Sequence, residues 1–212
     1  MTKQQPTYWQ EACLFLSRKD KTMAKLIKKY PDASLTSYAK PFKTLANAIV
    51  GQQISVAAAE ATWQRLLNLL KNKAFNAKNF LTLSEAQLKE IGLSKQKIQY
   101  LKNISTHFIN NKINNKYFQN KSSTQIAEEL LAIKGIGKWT LEMFQIFYLN
   151  EADIFPLGDI GLIKAIENNY PIKKETKDYK NYLENFSKQW QPYRTVATWY
   201  LWRTIDAEPV HY

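Results

Sequence analysis

Residues 131–140 read LAIKGIGKWT, and this stretch decides the fold. Gly135 and Gly137 lie one residue apart between two apolar helical patterns, which predicts a tight turn between two helices. Because glycine has no Cβ, the turn can approach another molecule closely, and the amides that open the second helix suit an anion. Lys134 and Lys138 flank the glycines and add positive charge. The stretch predicts a phosphate-binding turn, although a plain helical connection with a glycine cap has the same pattern.

The composition favours nucleic acid as a partner. The 212 residues include 30 Lys and Arg against 18 Asp and Glu, a formal charge of +12. Such a balance is typical of proteins that bind nucleic acid, although a lysine-rich proteome also gives it. The single cysteine, Cys13, excludes an internal disulfide and a cysteine-built zinc or iron–sulfur site. No apolar run is long enough to cross a bilayer, so we expect no membrane partner and a cytoplasmic protein.

The apolar spacing predicts an all-α fold, with no sustained period-two alternation. Ser94 is predicted to cap the helix that follows it, and Ser123 or Thr124 to cap the helix that ends at Leu131. We expect one unit over residues 1–212 with two helical lobes and a cleft between them. One lobe is predicted to take 57–131, and the other the N-terminal helices with 139–212.

Asp159 follows Trp139 by 20 residues, at the start of a predicted helix. An aspartate there is a favoured N-cap, whose carboxylate accepts a backbone amide. A carboxylate beside a phosphate-binding turn can also act on the nucleotide held there. The two roles are compatible, because a cap fixes the position of the carboxylate.

Four segments, taken in order, resemble the helix-hairpin-helix DNA glycosylases, and within them the DNA-3-methyladenine glycosylase II branch. The segments are 41–55 (PFKTLANAIVGQQIS), 131–140, 155–162 (FPLGDIGL) and 190–194 (WQPYR) with Ala197, Trp199 and Trp202 beyond it. The resemblance implies a two-lobed helical glycosylase fold with a central cleft. It also implies a base-excision repair enzyme that flips alkylated purines, such as 3-methyladenine and 7-methylguanine, out of double-stranded DNA and hydrolyses the N-glycosidic bond.

The resemblance also assigns the chemistry to particular side chains. Asp159 is the catalytic carboxylate, which stabilises the positive charge that develops on the sugar. Trp139 stands where lyase-competent members carry a nucleophilic lysine, so the abasic site should be left uncut. The remaining base-pocket positions are Trp202, Tyr193 and Met143, the last where a larger relative has a tyrosine.

The DNA contacts follow from the same resemblance. Gln53 is the wedge that fills the space of the flipped base, with Ile54 as the second candidate. The amides of Gly135 and Gly137 are expected to bind phosphate, helped by Lys134 and Lys138. No cofactor is required, but the resemblance implies a monovalent cation, Na⁺ or K⁺, on three hairpin carbonyls, those of Leu131, Ile133 and Ile136. A monomer is sufficient for this chemistry.

Two other functions fit much of the same sequence. A helix-hairpin-helix module that binds DNA without cutting would share the charge and the hairpin but would not need Asp159. A glycosylase for deaminated or oxidised bases would need an acid or further hydrogen bonds in the pocket, because its leaving group is neutral. The sequence offers no clear candidate for that acid.

Overall fold

The computed structural model of the protein describes residues 5–32, 34–36, 40–71, 73–172 and 177–206. Within these ranges the chain forms helices and no strand, which confirms the all-α prediction. No helix in the described part is both long and apolar enough to cross a membrane. The helices found there are α1 (Trp9–Lys19), α2 (Lys21–Lys29), α3 (Pro41–Gly51), α4 (Val56–Leu69), α5 (Ala77–Phe80), α6 (Glu85–Glu90), α7 (Lys95–Asn110), α8 (Ser123–Leu131), α9 (Lys138–Phe144), α10 (Ile160–Asn169), α11 (Tyr179–Ser187) and α12 (Arg194–Trp202).

The chain divides into two compact units. The first contains the described residues within 1–38 and 145–211, and the second those within 39–144. The predicted lobe of 57–131 lies wholly inside the second unit, which also takes in α3 and α9. The single two-lobed glycosylase unit over 1–212 stays a prediction.

The second unit is built around α3. Nine of its eleven residues are buried, because the helix packs on α4, α7 and α9 and its sequence is apolar on almost every side. An aromatic cluster extends this core, in which the Phe42 ring lies 5.3 Å from those of Phe75 and Phe108. Helix α3 ends at Gly51, where Gln52 and Gln53 start the loop to α4. A rigid core helix therefore leads directly into the predicted wedge.

Serine side chains start four helices of the second unit. Ser94 caps α7, as predicted, by accepting the amide of Lys97. The predicted cap of α8 was wrong, because Ser122 caps that helix instead of Ser123 or Thr124. Ser122 is favoured because Gln125 then stands three residues later and bonds back to the serine amide, which completes a capping box.

The first unit is organised around the buried carboxylate of Asp20. Its Oδ1 accepts the amides of Thr22 and Met23 and so caps α2. Its Oδ2 accepts the hydroxyl of Tyr170 at 2.8 Å and the indole N–H of Trp190 at 2.9 Å. One aspartate thereby joins the N-terminal helices to the segments that flank α11.

Candidate functional site

Asp159 is the N-cap of α10, as predicted. Its Oδ1 accepts the amide of Leu162 at 2.7 Å and the indole N–H of Trp202 at 3.0 Å. Two donors on one oxygen fix both the position and the rotation of the carboxylate. Gly161 leaves room for it, since a Cβ there would lie 3.0 Å from Oδ1 and 3.2 Å from the side chain of Ile205. The fold thus presents a carboxylate in one defined orientation at the N-terminus of α10.

Trp202, near the end of α12, joins this carboxylate to an aromatic stack. Its ring lies parallel to that of Phe147, with 6.0 Å between centroids and 9° between planes. Only 8% of the residue is exposed. The structure therefore brings together Asp159 and Trp202, two of the predicted site residues, through a direct hydrogen bond that no sequence pattern indicated.

A second carboxylate, Asp206, responds to the charge of Asp159. The amide of Asp206 donates to the carbonyl of Trp202 at 3.1 Å, one turn beyond the indole that holds Asp159. Burial and the negative charge of Asp159 raise the pKa of the Asp206 carboxyl, while the Arg203 guanidinium opposes the shift. Sequence reasoning did not single out Asp206, because a lone aspartate after a helix carries no motif.

Tyr193, a predicted pocket residue, contacts a side chain of α1 and that of Tyr8, the residue before this helix. Its ring lies 5.5 Å from that of Phe15, edge to face, and 6.3 Å from that of Tyr8, in a stacked arrangement. A hydrogen bond to Glu11 raises the pKa of the Tyr193 hydroxyl. These contacts account for the ring by packing within its own unit, and its part in a base pocket stays a prediction.

Arg194 forms an ion-pair network inside the first unit. Its guanidinium donates to both carboxylate oxygens of Asp153, at 2.7 and 2.9 Å, and to Glu184 at 2.9 Å. The two carboxylates raise the pKa of Arg194, since they stabilise its charged form. The local role of this residue is therefore to join α12 to α11 and to the segment before α10.

The hairpin consists of α8, a turn over residues 132–137, and α9, as predicted. Its two glycines serve different purposes. Gly135 has φ of +114°, and a Cβ there would lie 2.3 Å from Cγ of Tyr100, so both the backbone and the packing require glycine. Gly137 has an ordinary φ and open space around it. Only at Gly137 does the missing Cβ leave room for another molecule.

The remaining hairpin residues differ in exposure. Lys134 is exposed, and Lys138 is exposed and lies 3.8 Å from the Glu142 carboxylate one turn later. Both lysines are therefore accessible to a polyanion. Trp139 is half-buried in the first turn of α9, while Met143 is fully enclosed. The pocket roles of Trp139 and Met143 stay predictions.

The loop between α3 and α4 carries the predicted wedge. Gln53 is exposed and has φ of +57°, a left-handed backbone conformation that residues other than glycine seldom adopt. Ile54 beside it is 43% exposed, which is unusual for isoleucine. Two neighbouring side chains, one polar and one apolar, thus project from a loop that is held in a strained shape.

The carbonyls predicted to bind a monovalent cation, those of Leu131, Ile133 and Ile136, lie at the end of α8 and in the turn that follows. Leu131 is the last residue of α8, and helix carbonyls at that end have no amide four residues ahead. The carbonyl of Ile133 accepts the amide of Ile136 at 3.0 Å and keeps a second lone pair. Neutral carbonyl oxygens of this kind fit a monovalent cation. Among the described residues, no group of three or more His, Cys, Asp or Glu side chains is placed to hold a metal ion.

Comparison with known proteins gives consistent matches. Residues 46–192 match the family described as HhH-GPD superfamily base excision DNA repair protein. DNA-3-methyladenine glycosylase 1 of Schizosaccharomyces pombe is 31% identical to the chain over 186 residues, which cover 87% of this chain and 81% of that protein.

Two solved structures are similar over nearly the whole chain. The S. pombe 3-methyladenine DNA glycosylase in complex with abasic DNA has a TM-score of 0.78 and 30% identity, and the match covers 92% of this chain and 96% of that one. A DNA-3-methyladenine glycosidase from Bacillus halodurans has a TM-score of 0.71 and 30% identity, with 96% and 92% coverage. The family match includes both the hairpin and Asp159, and it confirms the predicted resemblance. The chain therefore belongs to the HhH-GPD superfamily of base excision DNA repair proteins.

Proposed function

We propose that the protein is a monofunctional DNA glycosylase that removes alkylated purines, such as 3-methyladenine and 7-methylguanine, from double-stranded DNA and leaves an abasic site. It acts as a monomer, in the cytoplasm, and requires no cofactor. The relatives named above support the substrate class, since their names refer to 3-methyladenine. The observation that carries the proposal is the carboxylate of Asp159, held by the Leu162 amide and the Trp202 indole.

The reaction replaces the bond between C1′ and the base by a bond between C1′ and water. The electron pair of the breaking bond leaves with the base, and the attacking water loses one proton. Positive charge builds on the sugar as the bond breaks, and the negative charge of Asp159 stabilises it. Because the Leu162 amide and the Trp202 indole already fix the carboxylate, little reorganisation is needed in the transition state.

The nature of the leaving group explains why one carboxylate is enough. A purine alkylated at N3 or N7 is a cation while attached to the sugar and leaves as a neutral base, so it needs no acid. An electron-rich indole also attracts such a cation, by about 2 kcal/mol or more when both are desolvated. We assign this contact to Trp139 and Trp202, with Tyr193 and Met143 completing the pocket.

The hairpin is assigned to the DNA backbone. The open space at Gly137 allows a phosphate to approach the turn, and Lys134 and Lys138 add charge beside it. A Na⁺ or K⁺ ion on the carbonyls of Leu131, Ile133 and Ile136 would add positive charge there. No lysine stands at position 139, so no Schiff base forms from that position and the strand is left intact.

The first test is the release of free bases from methylated duplex DNA by the wild type and by Asp159→Asn. Asparagine is as good a helix cap as aspartate, so the substitution removes the charge and keeps the fold. We expect a loss of excision of about 100-fold or more and a DNA affinity close to that of the wild type. Strands treated with the wild type should break only after alkali is added.

The matched control is Asp178→Asn. Asp178 caps α11 in the same way, by accepting the amide of Asn181. Its substitution should leave excision unchanged, which separates the loss of charge from the loss of a cap. Near-normal excision by Asp159→Asn would reject the mechanism. Salt-sensitive DNA binding without any base release by the wild type would favour the binding module or another lesion.

A further inference from the structure

Gln52 connects the loop that carries the predicted wedge to the hairpin. Its side-chain amide nitrogen donates to the carbonyl of Gly135 at 3.0 Å and to the hydroxyl of Thr140 at 2.9 Å. Gly135 belongs to the hairpin turn, and Thr140 is a buried residue of α9, directly after Trp139. A single amide group thus joins the loop after α3 to the hairpin turn and to α9. Its two partners lie 83 and 88 residues after Gln52 in sequence.

Both N–H groups of this amide are used, one by the carbonyl of the half-buried Gly135 and one by the hydroxyl of the buried Thr140. Thr140 is 1% exposed, so its hydroxyl has little access to water as an alternative partner. The carbonyl of Gly135 lies at the residue whose positive φ shapes the turn. The two hydrogen bonds of this amide therefore fix the position of the turn relative to the end of α3.

The residue after Gln52 needs this support. Gln53 holds a left-handed φ of +57°, a backbone conformation that is strained for any residue other than glycine. A second fixed point lies on the other side of the loop start, where the ammonium of Lys97 donates to the carbonyl of Val50 at 2.7 Å. The backbone before Gln53 is thereby held from two directions, by α7 and by the hairpin.

The same residues line a cavity of about 410 Å³ in the second unit. Its walls include Gln52, Gln53, Lys97, Tyr100 and the turn from Gly135 to Gly137. Tyr100 fills the space that a side chain at Gly135 would need. The loop and the turn therefore lie against the same cavity.

We infer that Gln52 is a positioning residue that locks the wedge loop to the hairpin, so that filling the space of a flipped base and holding the DNA backbone occur in a fixed register. The inference rests on the proposed function. Without the Gln52 side chain, Gln53 and Ile54 would insert from a loop that is free to move. The wedge would then offset less of the free energy that base flipping costs. The effect should depend on whether the target base is paired, because an unpaired base costs least to flip.

The experiment measures single-turnover excision with saturating protein on two DNA substrates that carry the same alkylated purine. In one the lesion is paired, and in the other it stands opposite an abasic site. We expect Gln52→Ala to excise the paired lesion about 10- to 50-fold more slowly than the wild type, and the unpaired lesion within about 3-fold of it. Gln52→Glu should behave similarly, because a carboxylate has the same length and no N–H to donate.

The partner residue and a control complete the test. Thr140→Val removes one acceptor, and combined with Gln52→Ala it should cause less than the product of the two single losses. Gln64→Ala is the control, since Gln64 is exposed on α4 and donates to Glu60 one turn before it in the same helix. This control should excise both substrates at the rate of the wild type.

The outcomes separate the inference from the function on which it rests. Equal losses on the paired and unpaired substrates, or no loss on either, would overturn the positioning role while excision by the wild type upheld the proposed function. Failure of the wild type to excise either substrate would overturn the proposed function and this inference with it. A loss of rate confined to the paired lesion supports the positioning role. A general weakening of the fold would not produce such a selective loss.

Discussion

Two aspartates in the first unit, Asp159 and Asp20, are held by the same two kinds of donor. Each caps a helix and accepts an indole N–H from a tryptophan, Trp202 in one case and Trp190 in the other. Asp20 is buried, so its network serves the core. Asp159 is half-buried at the start of α10 and can meet a substrate. The same local device therefore stabilises the fold at one position and presents a charge at the other.

Substitution of Trp202 by phenylalanine tests the value of the indole N–H. The smaller ring can still stack on Phe147, but Oδ1 of Asp159 loses the indole donor. We expect excision to fall about 10- to 100-fold, which corresponds to a hydrogen bond to a charged group of about 1.5–3 kcal/mol. Single-turnover excision and thermal unfolding should both be measured.

The matched substitution is Trp190→Phe. It removes the same kind of bond from Asp20, but in the core, where Oδ2 loses the indole donor and keeps the Tyr170 hydroxyl. We expect a loss of about 1–3 kcal/mol in the free energy of unfolding and an excision rate unchanged while the protein is folded. The opposite pattern, with stability lost at Trp202 and rate at Trp190, would contradict the assignment of Asp159.

At the scale of elements, the turn of the hairpin contains two glycines that can be tested separately. Gly135→Ala should destabilise the fold, because a Cβ would lie 2.3 Å from the ring of Tyr100 and φ is positive. Gly137→Ala should leave the thermal midpoint nearly unchanged, because nothing lies within 4 Å of the added Cβ. Its DNA affinity should nevertheless fall, since the methyl group would occupy the space assigned to a phosphate. DNA binding by Gly137→Ala equal to that of the wild type would place the phosphate elsewhere.

The helix α8 is fixed to its neighbours by a charged cluster around Glu129. Burial raises the cost of ionising this carboxyl, but hydrogen bonds from Lys121, His107 and Tyr117 outweigh that cost and lower the pKa of Glu129. A carboxyl whose pKa is lower in the folded state contributes stability above its unfolded pKa of about 4.3, and this contribution is lost as the pH falls through the folded value.

Glu129→Gln should therefore destabilise the protein at pH 7 by about 1–2 kcal/mol. The difference from the wild type should shrink as the pH is lowered through about 4 and below, because the wild type then becomes protonated as well. Urea unfolding at a series of pH values measures this. A difference that stayed constant with pH would mean that shape, and not charge, explains the effect.

The elements could largely be predicted from the sequence, because their signals are local. The caps Ser94 and Asp159 and the glycine turn depend on residues within a few positions of each other. The contacts that complete the site are not local. The bonds from Trp202 to Asp159 and from Gln52 to Thr140 join residues 43 and 88 positions apart, and nothing in either neighbourhood marks the partner. The misplaced cap of α8 shows the local limit, since three adjacent hydroxyl residues differ only in the register of Gln125.

At the scale of the whole molecule, charge has two opposing effects on function. The catalytic group that we assign is an anion, and its substrate is a polyanion, so the site itself repels DNA. The net charge of +12 reverses the sign of the long-range interaction. Long-range attraction and short-range chemistry are therefore carried by different residues, and salt should separate them.

We expect the dissociation constant for duplex DNA to rise steeply with salt, by about 10²- to 10³-fold between 50 and 200 mM if around five phosphates are contacted. The rate of the chemical step at saturating protein should change little, because Asp159 acts within a few ångströms of the sugar, well inside the screening length of about 8–10 Å. Fluorescence anisotropy measures the first quantity, and single-turnover excision measures the second.

Lys134→Ala and Lys138→Ala should each lower the salt slope by about one and leave the saturated rate unchanged, since each removes one exposed cation from the hairpin. A saturated rate that fell in parallel with affinity would mean that salt disturbs the catalytic geometry itself, and a flat affinity would remove DNA as the polyanion that the charge attracts.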